Sequence, residues 1–106
     1  MSFIILAEQN DVHMVRKAFG SIGWYSDEDP VVINRIVAKH YGKNVFYPIW
    51  DKPANPEDIF EIVTEEGTVM VCNDDTDEWE PKTAIIYKLA SGDYAVEEDD
   101  LIEPLT

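Results

Sequence analysis

Residues 83–96 read TAIIYKLASGDYAV, and the class of fold turns on this stretch. Thr83 to Leu89 is apolar and rich in β-forming residues, and Tyr94 to Val96 resumes the pattern. Between them Ala90-Ser91-Gly92-Asp93 is a hairpin turn by composition. Upstream, Thr68 to Cys72 is a third β-prone run. The segment Thr68 to Val96 therefore predicts an antiparallel meander of three strands.

Working outward, Phe3 to Ala7 is a short apolar run and reads as a buried strand. Asn10 is placed to cap a first helix, with Asp11 in its first turn, where a carboxylate favours the positive helix end. Val12, Val15, Phe19 and Ile22 follow at helical spacing, Arg16 and Lys17 suit the last turn, and Gly20 or Gly23 stops it. A sharper start signal is Asp27-Glu28-Asp29 before Pro30, because proline at the first helical position loses no bond the helix needs. Ile33, Ile36, Val37 and Tyr41 mark the core-facing stripe of this second helix. Gly42 ends it, with Lys39 and Lys43 near its negative end.

The middle of the chain is less regular. Val45 to Trp50 is aromatic and β-like, with Pro48 restricting it to an edge, a bulge or a strand end. Asp51 to Pro56 has loop chemistry. From there two readings compete. Asn55-Pro56-Glu57-Asp58 caps a short helix through Val63, or Ile59 to Thr64 and Thr68 to Cys72 form a hairpin around Glu65-Glu66-Gly67; we favour the helix. Residues 97–106 read as a frayed acidic tail. The expected architecture is α+β, a single domain over residues 1–106, with two N-terminal helices packed on a small, mainly antiparallel sheet.

Charge is distributed unevenly. Residues 1–53 hold six acids and six bases, while residues 54–106 hold sixteen acids against only Lys82 and Lys88. The whole net charge of −14 thus resides in the second half. A segregated charge makes a directed field, which repels nucleic acid and anionic lipid and favours a basic protein surface as partner. No apolar run approaches the ~20 residues of a membrane span. Glu8, Asn10 and Asp11 interrupt the first apolar run too early for a signal peptide. Cys72, the single cysteine, fits a reducing compartment. The expected location is cytoplasmic, in the protein's own cell or an infected host.

Enzyme and cofactor motifs fail on inspection. The glycines at 20, 23, 42, 67 and 92 match neither a phosphate loop nor a dinucleotide fingerprint. Asn73, Asp75 and Asp77 alternate as in a calcium loop, but Glu78 replaces the required glycine and Ala84 the bidentate glutamate. His13, His40 and Cys72 lack metal-ligand spacing, and the two histidines fall on different helices. A cysteine–histidine pair would need tertiary proximity. The expectation is a non-enzymatic protein with no cofactor and no metal.

The acids form three clusters: Glu57, Asp58, Glu61, Glu65 and Glu66; Asp74, Asp75, Asp77, Glu78 and Glu80; Glu97, Glu98, Asp99, Asp100 and Glu103. On a strand, alternate residues share a face every ~6.7 Å. Two neighbouring segments then approach the charge density of duplex DNA, roughly one charge per 1.7–3.4 Å. Such a surface suits the basic groove of a nucleic-acid-binding enzyme. The expected partner-binding residues are Asp74, Asp75, Asp77, Glu78, Trp79, Glu97, Glu98, Asp99 and Asp100, with Trp79 either an aromatic anchor or packed under the sheet.

Val69-Met70, Asp75-x-x-Glu78-Trp79-x-Pro81, Ala84-Ile85-Ile86 and Ser91-Gly92 together resemble the C-terminal hairpin of the phage uracil-DNA glycosylase inhibitor family. The resemblance implies a small acidic α/β protein that mimics DNA to block an enzyme. In that family the critical acid precedes an apolar stretch near the start of the domain. The nearest counterpart here is Glu28 ahead of Val31 and Val32, with Pro30 intervening in a helix. Two other readings stay open: an adaptor or immunity-type protein recognising its partner through Trp24, Tyr25 and Trp50, and a small enzyme built on Cys72 or a carboxylate pair. A solvated, merely solubilising face is the plainest alternative to all of them.

Overall fold

The computed structural model describes residues 2–23, 29–42, 44–55, 57, 64–73, 76 and 78–101. Trp24, Tyr25, Asp27, Glu28, Lys43, Asp74, Asp75, Asp77, Glu103 and residues 58–63 of the expected short helix lie outside these. The element order is β1 (Phe3–Glu8), α1 (Val12–Ser21), α2 (Pro30–Tyr41), β2 (Val45–Ala54), β3 (Thr64–Asn73), β4 (Glu78–Lys88) and β5 (Tyr94–Glu97), then a 3-10 turn at Glu98–Leu101.

The strands close into a five-stranded barrel in the order β1-β2-β3-β4-β5. This corrects the expected small sheet carrying two helices. The physical reason lies in β1, whose residues Phe3 to Ala7 are all buried. A strand apolar on both faces needs cover on both faces and pairing along both edges. β2 runs antiparallel to one edge of β1. β5 returns to the other, Leu6 opposite Tyr94 and Phe3 opposite Glu97. The ring closes through the antiparallel pairs β3–β4 and β4–β5 and a short parallel contact, Val45 and Phe46 of β2 against Thr68 and Val69 of β3.

Period-2 alternation divides the apolar residues between two clusters. Phe3, Ile5 and Ala7 join Tyr47, Ile49, Met70 and Ala95 beneath Val15, Ala18 and Phe19 of α1 and Val37 of α2. Ile4 and Leu6 face the other way, into Val69, Ala84, Ile86 and Val96, a cluster to which Leu101 adds its side chain. The expected meander from Thr68 to Val96 is present. Its last turn is the expected one, with Gly92 at φ 93° and its N–H donating to the Leu89 carbonyl at 2.9 Å.

Several local expectations shift. Asp11, not Asn10, caps α1, accepting from the Met14 N–H at 3.2 Å. Gly23, at φ 68°, follows the helix end. β2 continues through residues expected to be a loop. Its register against β1 slips between Ile4, opposite Pro53, and Ile5, opposite Ile49. That bulge absorbs Trp50 to Lys52 and lets a strand carry two prolines, which supply no N–H to a ladder. The Ser21 hydroxyl accepts the Trp50 N–H at 3.1 Å and donates to the Ala18 carbonyl at 2.6 Å, tying α1 to β2 there.

Helix α2 starts and stops where its sequence says. Asp29 accepts from the Val31 N–H at 2.8 Å, Pro30 is the first helical residue, and Gly42 ends the helix at φ 92°. Val37 and the core-packed Ile33 of the expected stripe face inward, but the other two residues of it do not. Ile36 is 44% and Tyr41 46% exposed, while Asn34 and Val37 are buried. Asn34 faces inward because it joins two elements. Its Nδ2 donates to the Gln9 carbonyl at 3.0 Å and its Oδ1 accepts from the Tyr47 hydroxyl at 2.7 Å. Burial pushes the Tyr47 phenol far above its ordinary range, so it stays a donor.

The Val31 amide, and after it the Arg16 guanidinium 3.4 Å away, hold the Asp29 carboxyl below the usual carboxylate range. A lowered folded pKa contributes stability above the unfolded value, and that stability is lost as pH falls through the folded value. Asp29→Ala should therefore unfold more easily than the parent at neutral pH. The gap should close below about pH 4. Denaturant midpoints across that range check this, and a pH-independent gap contradicts it.

Residues 64–73 form one strand, with Glu65, Glu66 and Gly67 opposite Ile86, Ile85 and Ala84. A hairpin turning at Gly67 is thereby excluded. Gly67 is required for space: a Cβ there would lie 2.7 Å from Ile86 Cγ1, on a side chain that is itself buried. Gly67→Ala should cost about 1–3 kcal/mol by overpacking. Because the contact is with Cγ1, which valine would keep, the check is Ile86→Ala: in that background Gly67→Ala should cost much less by denaturation, and an equal loss in both backgrounds would refute the cause.

Candidate functional site: the acidic surface of the barrel

The bases and acids sit on different elements. Arg16 and Lys17 are exposed on α1, and Arg35 and Lys39 on α2. Glu65 and Glu66 are exposed at the start of β3, Glu78 and Glu80 at the start of β4, and Asp99 and Asp100 on the final turn. The ion pair Arg16–Asp29 joins the two helices, half-exposed on both sides, where such a pair contributes little.

Residues 97–101 are held, which corrects the expected frayed tail over that part of 97–106. Glu97 is the last residue of β5, opposite Phe3. The Glu98 N–H donates to the Ser2 carbonyl at 2.8 Å, and Leu101 is buried. An apolar residue inside the acidic run is what docks it. Asp99 and Asp100 are then presented from a fixed turn instead of a loose end.

The fold brings separate acidic segments together. Glu66 and Asp100 line one groove of about 380 Å³ over Thr83, Ala84 and Ile85. Glu66 also lines a second cleft with Glu65 and with Glu8. Glu66 is thus common to two adjoining depressions, whose carboxylates come from β1, β3 and the final turn. Glu8 was not expected in the site. It belongs to the half of the sequence without net charge, and only the position of β1 within the barrel places it beside β3.

Of the expected partner-binding residues, Glu78, Glu97, Glu98, Asp99 and Asp100 fall on β4, β5 and the final turn, while Asp74, Asp75 and Asp77 lie outside the described residues. Trp79 takes the packed alternative. Its ring lies 4.5 Å from that of Phe19 and 5.5 Å, edge-on, from that of Tyr47. Trp50 is also half-buried, against the second cluster. Both rings are engaged in packing, so the charged groups that the described surface of the site presents are carboxylates, set beside Ile85 in one depression and Phe46 and Tyr94 in the other.

The chemistry of the other candidates is modest. Cys72 lines a groove with Ile22, Trp50, Val71 and Leu101, and neither histidine is among them. His13 and His40 are exposed on separate helices. Among the described residues no group of three or more histidine, cysteine or acidic side chains is placed to hold a metal ion, and no helix is long and apolar enough to cross a membrane. Comparison with protein families, with curated proteins and with solved structures gives no match.

Proposed function

We propose that this chain is a non-enzymatic acidic binding or inhibitor protein, a phage-encoded DNA mimic that acts in the cytoplasm. It presents the carboxylates of β3, β4 and the 98–101 turn to the basic groove of a nucleic-acid-processing or defence protein. The observation that carries this reading is the sharing of Glu66 by two depressions lined with acids from three separate segments. Like charges gathered this way cost stability, and a partner that neutralises them repays that cost on binding. The resemblance of residues 69–92 to the uracil-DNA glycosylase inhibitor hairpin supports the same chemistry.

The test is competition. The protein, immobilised, is exposed to bacterial lysate, and retained proteins are challenged with duplex DNA. Release of a nucleic-acid-binding protein by DNA is the expected result. A partner that DNA does not displace, or the retention of none, contradicts it.

A further inference from the structure

The two helices are set apart from the rest of the molecule by their charge. Neither Val12–Ser21 nor Pro30–Tyr41 contains an acid, in a chain whose net charge is −14. On α2, Val32, Arg35, Ile36 and Lys39 recur at the three- and four-residue spacing that shares one side of a helix, and all four are exposed. Val32 and Ile36 each leave 44% of their surface in solvent, while Asn34 and Val37 take the inward side. The ion pair of the helix layer is Arg16–Asp29; among the described residues neither Arg35 nor Lys39 has an acidic partner.

Two aliphatic side chains beside two such cations call for apolar cover with anions at its margin. The barrel carries that arrangement. Glu66 on β3 stands directly opposite Ile85 on β4, so the two side chains leave the same face. Ile85 is 39% exposed, and Thr83, Glu66 and Asp100 line the groove around it. Both surfaces are open in a single copy, so neither covers the other.

Charge also decides how two copies pair. A two-fold contact through α2 sets the Arg35–Lys39 pair against its own copy, and one through the groove does the same to Glu66 and Asp100. A contact of unlike surfaces avoids both. It brings a helix without acids to a groove lined by no base.

We propose that α2 of one copy lays its Val32–Ile36 side on Ile85 in the groove of a second copy, with Arg35 and Lys39 meeting Glu66 and Asp100. The two faces differ, so copies add head to tail. This contact goes beyond the proposed function and does not depend on it. An occupied groove withholds Glu66 and Asp100 from any other partner.

Sedimentation equilibrium of the intact chain tests it in about 0.15 M salt, where a Debye length of ~8 Å screens the repulsion between the net charges of two copies. The average mass should rise above that of one chain as concentration increases. Two variants neutralise one face each, at exposed positions: Arg35→Gln/Lys39→Gln on α2, and Glu66→Gln/Asp100→Asn at the groove. Alone, each should associate about tenfold more weakly than the parent, the loss expected for two missing charge contacts. Mixed, they should recover a one-to-one dimer and grow no further, because the pair has one intact helix face and one intact groove. That recovery also shows that both variants are folded. A parent that stays monomeric into the millimolar range overturns the proposal. So does a single variant that assembles as the parent does, or a mixture that associates no better than its parts.

The two readings fail separately. A monomeric chain with a DNA-displaced partner keeps the mimic and removes the head-to-tail contact. Copies that add head to tail, with no such partner, keep the contact and remove the mimic.

Discussion

Phe19→Ala should destabilise the fold by about 3–5 kcal/mol. A domain of this size has only about 5–15 kcal/mol in all, so the variant should be partly unfolded at ordinary temperature. Phe19 is 1% exposed, and its ring contacts Tyr47 at 5.4 Å and Trp79 at 4.5 Å. It is the residue through which α1 grips both the β2 strand and the start of β4. Truncation leaves a cavity that the barrel cannot collapse to fill, because strand pairing fixes the walls on which Tyr47 and Trp79 sit. Denaturant titration followed by tryptophan emission reads the loss directly, since Trp79 lines the hole. Phe19→Leu should cost under about 2 kcal/mol, because most of the volume stays. An Ala variant within about 1 kcal/mol of the parent would show that α1 is not part of the core.

The second large effect concerns binding. Glu66→Lys/Asp99→Lys/Asp100→Lys should slow association with the DNA-displaced partner by tenfold or more at low salt, on the order expected for reversing a steering field. Folding should be unaffected or improved, since these side chains are exposed and repel one another. Arg35→Glu/Lys39→Glu on α2 is the control. It adds negative charge on a different element and should not slow association. Surface plasmon resonance at two salt concentrations separates the cases. If the α2 variant weakens binding and the acidic-surface variant does not, the helices are the interface.

Much of the local structure was readable from single residues. Asp29, Pro30 and Gly42 bound α2 because each acts on the backbone within one turn. Gly92 marks the last hairpin for the same reason. Pairing was harder. Nothing local in Tyr94 to Glu97 says that this strand lies against Phe3 to Leu6, the pairing that turns a sheet into a barrel. Hydrophobicity alone puts Ile36 on the buried face of α2, whereas Asn34 is drawn inward by Tyr47 and Gln9. Gly67 by composition also allows a turn, the less favoured of the two readings of that segment; its constraint is the Ile86 side chain across the sheet. At the site, the acidic clusters were visible as runs of sequence. Glu8 was not, because its place in the cleft comes from the barrel, which pairs residues far apart in the chain.

In the proposed function, carboxylates on this barrel stand in for the phosphates of DNA. The most direct measurement is the dissociation constant of the purified complex as a function of salt. A mimic that buries many charge pairs should lose affinity steeply, by orders of magnitude between about 50 and 200 mM salt, as phosphate contacts do. Affinity that stays flat over that range would show that the acidic surface is a solvated face and that the partner is held elsewhere.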